Sequence, residues 1–246
     1  MIGLDRPATK EMKDSVQVWQ IPLLVSESTS ERYFSCLSED ERARAKRYRF
    51  ADDRRRFIVA RGALRHLLSP QLAQLPQHVE FCYGEFGKPS IRADIKPQSD
   101  RSGTCDFHFN ISHSGELALC VLSHRKAVGI DIEKLKSIHH LNGMISRCLS
   151  DREEARVKAE DGAHQTYDFL RYWTCKEAYL KAIGVGLTQS MQSVEVELCP
   201  LRFIGVPTDC EGGWSLHSVE VPEGYVAALV VAGHSEVELK QWQHNI

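Results

Sequence analysis

The chain carries almost no net charge. Its 31 lysines and arginines stand against 33 aspartates and glutamates, a formal −2 over 246 residues, so no whole-molecule field draws it to nucleic acid or to an anionic membrane. Paired cysteines are also missing. The eight cysteines (Cys36, Cys82, Cys105, Cys120, Cys148, Cys175, Cys199 and Cys210) form no C-x-x-C pair and share no zinc-type spacing with histidine, which reads as free thiols in a reducing compartment. The opening residues, MIGLDRPATKEMKDS, hold no apolar core of the signal-peptide kind, and every apolar run is too short to span a bilayer. A cytoplasmic protein is expected. No G-x-S-x-G elbow is present, which argues against a serine hydrolase built on Ser112 or Ser114 with His113.

What is present is an ordinary globular composition, 42% hydrophobic and 26% charged, long enough for one large domain or two lobes. Strand-like segments are expected at Val16 to Leu24, Val79 to Tyr83, Asp106 to Ile111, Leu117 to Leu122 and Ala127 to Ile132, and again at Val194 to Leu198, Trp214 to Val221 and Tyr225 to Val231. Helices are expected from Glu39 to Arg49, from Asp53 to Leu68 and from Gln165 to Ile183, with capping-box spacings at Ser38/Glu41 and Ser150/Glu153. On the second of these, Phe57, Ala60, Leu64 and Leu67 recur on one face, with Arg54, Arg61 and Arg65 on another. Pro97 to Gly103 reads as a loop inside the first half. No sequence repeat is visible. The architecture expected is α+β, with an N-terminal lobe over 1–125 and a C-terminal lobe over 126–246.

Chemistry concentrates in three segments. In Val128-Gly129-Ile130-Asp131-Ile132-Glu133, strand alternation sets Asp131 and Glu133 on one side and Ile130 and Ile132 on the other. Two carboxylates so placed are either a solvated strand face or ligands of a hard divalent cation, for which Mg²⁺ suits better than zinc. In Trp173-Thr174-Cys175-Lys176-Glu177-Ala178-Tyr179-Leu180-Lys181, Glu177 and Lys181 are helix neighbours that also share a face with Trp173 and Leu180. That is either a stabilising ion pair or a site at a lobe interface. In Phe107-His108-Phe109-Asn110-Ile111-Ser112-His113-Ser114-Gly115, an alternating strand runs into small polar residues expected on the turn at its end, and Gly87-Lys88-Pro89 precedes it. His113 and Lys88 read either as plain surface groups or as contacts to a phosphate.

Taken together, GKP, FNISHS, VGIDIE and WTCKEAYLK, in this order between about Phe81 and Gly186, resemble the Sfp-type 4'-phosphopantetheinyl transferases. The resemblance implies two similar α+β lobes related by a pseudo-twofold axis in one chain, with coenzyme A in the cleft between them. It implies that Asp131, Glu133 and Glu177 hold Mg²⁺, with Mn²⁺ as a possible substitute. Lys181 would approach the pyrophosphate or the reacting phosphate, and Glu177 would be the proposed base. Lys88, Ser112 and His113 would bind coenzyme A phosphates, His113 at the 3'-phosphate, and Arg56 and Arg61 would lie near the coenzyme. The activity implied is transfer of phosphopantetheine to a serine of an apo acyl or peptidyl carrier protein, by an enzyme expected to be monomeric and to need neither nucleic acid nor membrane. The other arginines and lysines between Arg42 and Arg65 read mainly as a solvated helix face. Two other readings of the residues stay open at this point: a different metal-dependent phosphoryl or nucleotidyl transferase, and a noncatalytic binding module.

Overall fold

The computed structural model describes residues 15–91, 107–186 and 189–246. The expected Pro97 to Gly103 loop, Asp106 and Cys105 lie outside them. The chain opens with strand β1 (Val16–Pro22), followed by helices α1 (Glu27–Cys36), α2 (Glu39–Lys46) and α3 (Ala51–Leu72). A short hairpin, β2 (Phe81–Tyr83) and β3 (Pro89–Ile91), leads to the long strands β4 (Phe107–Ser114) and β5 (Leu117–His124). The same order then recurs: β6 (Val128–Lys134), helices α4 (Leu141–Cys148), α5 (Asp151–Lys158) and α6 (Gly162–Ile183), the hairpin β7 (Glu195–Leu198) and β8 (Leu201–Gly205), and strands β9 (Trp214–Ser218) and β10 (Tyr225–Ala232). Strand pairing repeats too. The orders β1-β5-β4 and β6-β10-β9 correspond strand for strand. The chain is therefore α+β in two like halves, a repeat of topology in a sequence that shows none by eye.

The turn at 125–127 joins the halves, as expected for a boundary near residue 126. A last strand, β11 (Val237–Gln241), then returns to the first half and pairs in parallel with β1, so the final segment sits with the sheet of the first half.

Alternation along each strand sorts the layers. On β5, Ala118, Cys120 and Leu122 pack against Tyr33, Leu64 and Leu68 of the first helical layer. Leu117, Leu119 and Val121 face the other way, onto Val128, Ile130, Ile132, Leu229 and Val231. Val226, Ala228 and Val230 of β10 turn outward beneath Leu170 and Ala178 of α6. The order of layers is helices, sheet, sheet, helices, with three apolar cores between them.

Each helical layer is fastened by the same device. Ser38 and Ser150 begin α2 and α5 with capping boxes whose third helical residues are Glu41 and Glu153. Each carboxylate also reaches a cation in the middle of the long helix: Glu41 Oε2 meets Arg65 Nε at 2.7 Å, and Glu153 Oε2 meets Lys176 Nζ at 2.6 Å. The cations then donate onward to the loop after their helix, Arg65 to the carbonyls of Pro76 and Val79, both at 2.9 Å, and Lys176 to that of Met191 at 3.0 Å. Arg61 joins the first pair, with Nε 2.8 Å from Glu41 Oε1. This corrects the expected polar face on α3, because Arg61 and Arg65 are buried. A charge enters a core only with a partner, and Glu41 is that partner.

Removing one member leaves the other buried and uncompensated. Lys176→Met is therefore expected to lower unfolding stability by about 3–5 kcal/mol, read from urea denaturation followed by far-ultraviolet circular dichroism; an unchanged midpoint would show that Glu153 is satisfied without it.

Candidate active site

Strand β6 lies under α6 with no room to spare. A Cβ on Gly129 would stand 2.0 Å from the Ala178 carbonyl oxygen and 2.4 Å from the Ala182 nitrogen, so the helix rests directly on the strand backbone. Only glycine permits that approach. Helix positions 177 and 181 are thereby brought over the next residue of β6 on the same face, Asp131.

Asp131 is 4% exposed. Its Oδ1 accepts from Lys181 Nζ at 2.6 Å and from Ser112 Oγ at 2.8 Å. Lys181 Nζ also donates to Ser112 Oγ at 3.0 Å and to the Ile130 carbonyl at 3.3 Å. The other oxygen, Asp131 Oδ2, is buried with no hydrogen-bond partner. Glu133 Oε2 accepts from Ser114 Oγ at 2.8 Å. Burial and the charge of Asp131 raise the carboxyl of Glu177 above the usual carboxylate range, and Lys181 and Glu133 also act on it. Burial likewise raises Glu133, offset in part by the Ser114 hydroxyl, with Asp131 adding to the rise. Three acids on the strand and helix thus stand close enough to disfavour one another's ionisation.

Their supports come from β4. The backbone of β6 pairs with β10 along one edge, and on the other edge β4 offers side chains. Asn110 Oδ1 accepts from the Ile130 amide at 2.9 Å, Ser112 donates to Asp131, and Ser114 donates to Glu133 while accepting from the Lys134 amide at 3.1 Å. Ser112, His113 and Ser114 were expected on a turn. They continue β4 instead, paired with Leu119, Ala118 and Leu117 of β5, and this alternation aims both serines at β6.

The remaining expected residues fall in three places. Lys88 donates to the carbonyls of Lys181 and Ala182, in the last turn of α6. A cation belongs at that helix end, and burial pushes its pKa down to about 8. His113 presents an exposed edge beside β4; the protein around it, then the charges of Lys181, Arg56 and Arg44, lower its pKa, with Asp53 opposing them. Arg56 therefore belongs to this flank. Arg61 does not join the group: it pairs with Glu41, donates to the Tyr83 hydroxyl at 2.5 Å and lies over the Phe81 ring at 4.5 Å.

Sequence reasoning missed Glu116, which follows the β4–β5 turn and takes hydrogen bonds from both Arg55 and Arg56. The signal was the acidic residue directly after S-H-S-G, available to pair with the run Arg54-Arg55-Arg56.

The donors fit a hard cation in kind: oxygen ligands only, an orphaned buried oxygen on Asp131 and repulsion that a cation would relieve. Among the described residues, however, no three acidic, histidine or cysteine side chains are gathered at ligating distance; the Lys181 ammonium supplies the positive charge at Asp131 in this arrangement.

Comparison with known proteins follows from these positions. The model of the 4'-phosphopantetheinyl transferase superfamily matches residues 127–230, and that of the 4'-phosphopantetheinyl transferase N-terminal region matches residues 25–125. The 4'-phosphopantetheinyl transferase HetI of Nostoc sp. is 37% identical, over 90% of this chain and 90% of its own. The 4'-phosphopantetheinyl transferase Sfp of Bacillus subtilis is 30% identical, over 85% of this chain and 88% of its own. A solved holo-(acyl-carrier-protein) synthase from Bacillus anthracis, in complex with CoA (3',5'-ADP), aligns at 28% identity with a TM-score of 0.37, covering 43% of this chain and 93% of that one.

The lowered His113 pKa has a direct readout. In an NMR titration its ring is expected to lose its proton at a pH below the ordinary value near 6.5, and Arg56→Ala should move that midpoint upward. The sign for stability follows. The unfolded chain binds this proton more readily than the folded one, so acidification through about pH 6.5 costs stability. A midpoint at or above the ordinary value would contradict the placement.

Proposed function

Since the chain belongs to the 4'-phosphopantetheinyl transferase family and is an enzyme of that class, we propose that it moves phosphopantetheine from coenzyme A to a serine of an apo acyl or peptidyl carrier protein, with Mg²⁺ held by Asp131, Glu133 and Glu177. The observation that carries this reading is the buried, unpartnered Asp131 Oδ2, set among acids that burial and mutual repulsion push toward their neutral forms. Such a set calls for a cation. Mg²⁺ there, or Mn²⁺ in its place, would supply charge to the pyrophosphate oxygens and to the departing 3',5'-ADP.

The roles of the chain's own groups follow from their placement. Ser112 and Ser114 fix Asp131 and Glu133 by donating to one oxygen of each, leaving the others to face a ligand. Lys181, at the centre of the group, is suited to meet a phosphate oxygen once Asp131 turns to a metal. Glu177, with its raised pKa, accepts the proton of the incoming serine hydroxyl as the serine oxygen bonds to the β-phosphorus and the bond to the 3',5'-ADP oxygen breaks. His113 and Arg56 form the cationic flank proposed for the 3'-phosphate. Lys88 holds the C-terminal turn of α6 through two carbonyls, a support for Lys181 that does not exclude the expected phosphate contact. Arg61 is proposed only as a core ion-pair residue.

All seven cysteines among the described residues are free, and none of the described helices is long and apolar enough to cross a membrane. Both are compatible with a cytoplasmic enzyme. A cleft formed between two like halves of one chain supports action as a monomer.

The test is intact-mass spectrometry of an apo carrier protein incubated with the enzyme, coenzyme A and Mg²⁺. A gain of about 340 Da, the mass of the group carried by coenzyme A, is expected, and chelation by EDTA should abolish it. Asp131→Ala and Glu177→Ala should each slow the gain by about a hundredfold or more. Turnover that survives both chelation and these substitutions would sink the metal assignment.

A further inference from the structure

We propose that Glu116 is a positioning residue for coenzyme A binding: its carboxylate fixes the Arg55 and Arg56 guanidinium groups at the flank of the site, so that Arg56 meets the 3'-phosphate in one orientation. The inference rests on the transferase reading above and adds a residue that neither the motifs nor the metal chemistry contains.

Glu116 is itself firmly held. It follows Gly115, whose φ of +55° closes the turn between β4 and β5. The turn is wedged against the second half, because a Cβ on Gly115 would stand 2.7 Å from Lys134 Cδ and 2.8 Å from the Tyr225 hydroxyl. That hydroxyl also accepts from the Glu116 amide at 3.1 Å. The residue therefore hangs from the same turn whose Ser114 supports Glu133.

Its carboxylate receives both arginines. Arg55 NH2 donates to Oε2 at 3.0 Å and to Oε1 at 3.2 Å, and Arg56 donates to Oε1 through Nε at 3.0 Å and through NH2. Each guanidinium is tied at its far end as well: Arg55 NH1 to Asp52 at 2.7 Å and Arg56 NH1 to Asp53 at 2.8 Å. A guanidinium is planar and carries five N–H groups. With Arg56 engaged at all three nitrogens, the directions of its remaining N–H groups are set. A bidentate contact to phosphate gains most from such a fork, because less freedom is lost when it forms.

The local charge argues for positioning over simple attraction. Two guanidinium groups face three carboxylates, Asp52, Asp53 and Glu116, so the cluster offers an anion geometry more than net charge. Arg56 nevertheless acts on the neighbouring His113, which places both on the side of the incoming ligand.

The experiment measures carrier modification against coenzyme A and against dephospho-coenzyme A for the wild type, Glu116→Gln, Arg56→Ala and the double variant. Glu116→Gln keeps the shape and removes the charge. It is expected to raise KM for coenzyme A about tenfold, a factor equivalent to about 1.4 kcal/mol. KM for dephospho-coenzyme A and turnover at saturation should change far less. In the Arg56→Ala background the same substitution should add little, because the group it positions is gone. Glu116→Asp, which retains the charge, should recover most of the loss and serves if the Gln variant folds poorly.

A staple with a purely structural role would lower the melting temperature and affect both coenzymes alike; that result would overturn the proposal. So would an unchanged or lower KM for coenzyme A, or a full Glu116→Gln effect without Arg56. A wild type that modifies no carrier would instead overturn the transferase reading, and this inference with it.

Discussion

Strand β6 has hydrogen-bonding partners of two kinds, and the site depends on that difference. Along one edge its backbone pairs with β10 in the usual antiparallel manner. Along the other it meets β4, a strand from the other half, through side chains: Asn110, Ser112 and Ser114 reach across to the Ile130 amide, Asp131 and Glu133. A backbone ladder there would have fused the two sheets and directed the carboxylates by register alone. Side chains hold the strands together while leaving an oxygen on each acid uncommitted. Above the same strand, Gly129 lets α6 settle onto the backbone, and Glu177 and Lys181 arrive over Asp131 as a consequence.

The two halves are built alike but used differently. Both long helices carry a cation at a matching place, Arg65 and Lys176, and both cations answer a glutamate that also closes a capping box. This shared device fixes the helices to their sheets. What lies a turn further along differs: α6 goes on to Glu177 and Lys181, whereas α3 goes on to His66 and Ser69. The second half thus supplies the acids, and the first supplies the serines of β4, the Lys88 contact and the arginines clustered around Glu116. Neither half holds the group alone.

Much of this could be read from the sequence, and the parts that could not share a cause. The motif positions Asp131, Glu133, Glu177, Lys181 and Ser112 come together, as their spacing suggested. Alternation and capping boxes located most strands and helices. Ser112 to Ser114 looked like a turn because serine seldom favours strands; pairing with Leu117 to Leu119 decided otherwise, a tertiary effect that local composition does not carry. Arg61 and Arg65 looked like a wet face because charge usually means solvent, and only the arrival of Glu41 reverses that. Helix α4 begins at His140, whose φ of +59° is left-handed and provides no side-chain cap, so no start signal was available to read. Glu116 and β11 were invisible for a related reason: each matters through a partner distant in sequence.

The return of β11 to β1 has a consequence for how the molecule is made. On the ribosome, β1 emerges among the first elements, and β5 can cover one of its edges as soon as the first half is complete. Its other edge has no native partner until nearly all of the second half has been translated. During that interval the nascent chain presents an unpaired strand to its neighbours on the polysome. Pro22, which has no amide hydrogen to offer, shortens the length that could be templated, and the parallel pairing with β11 finally closes it.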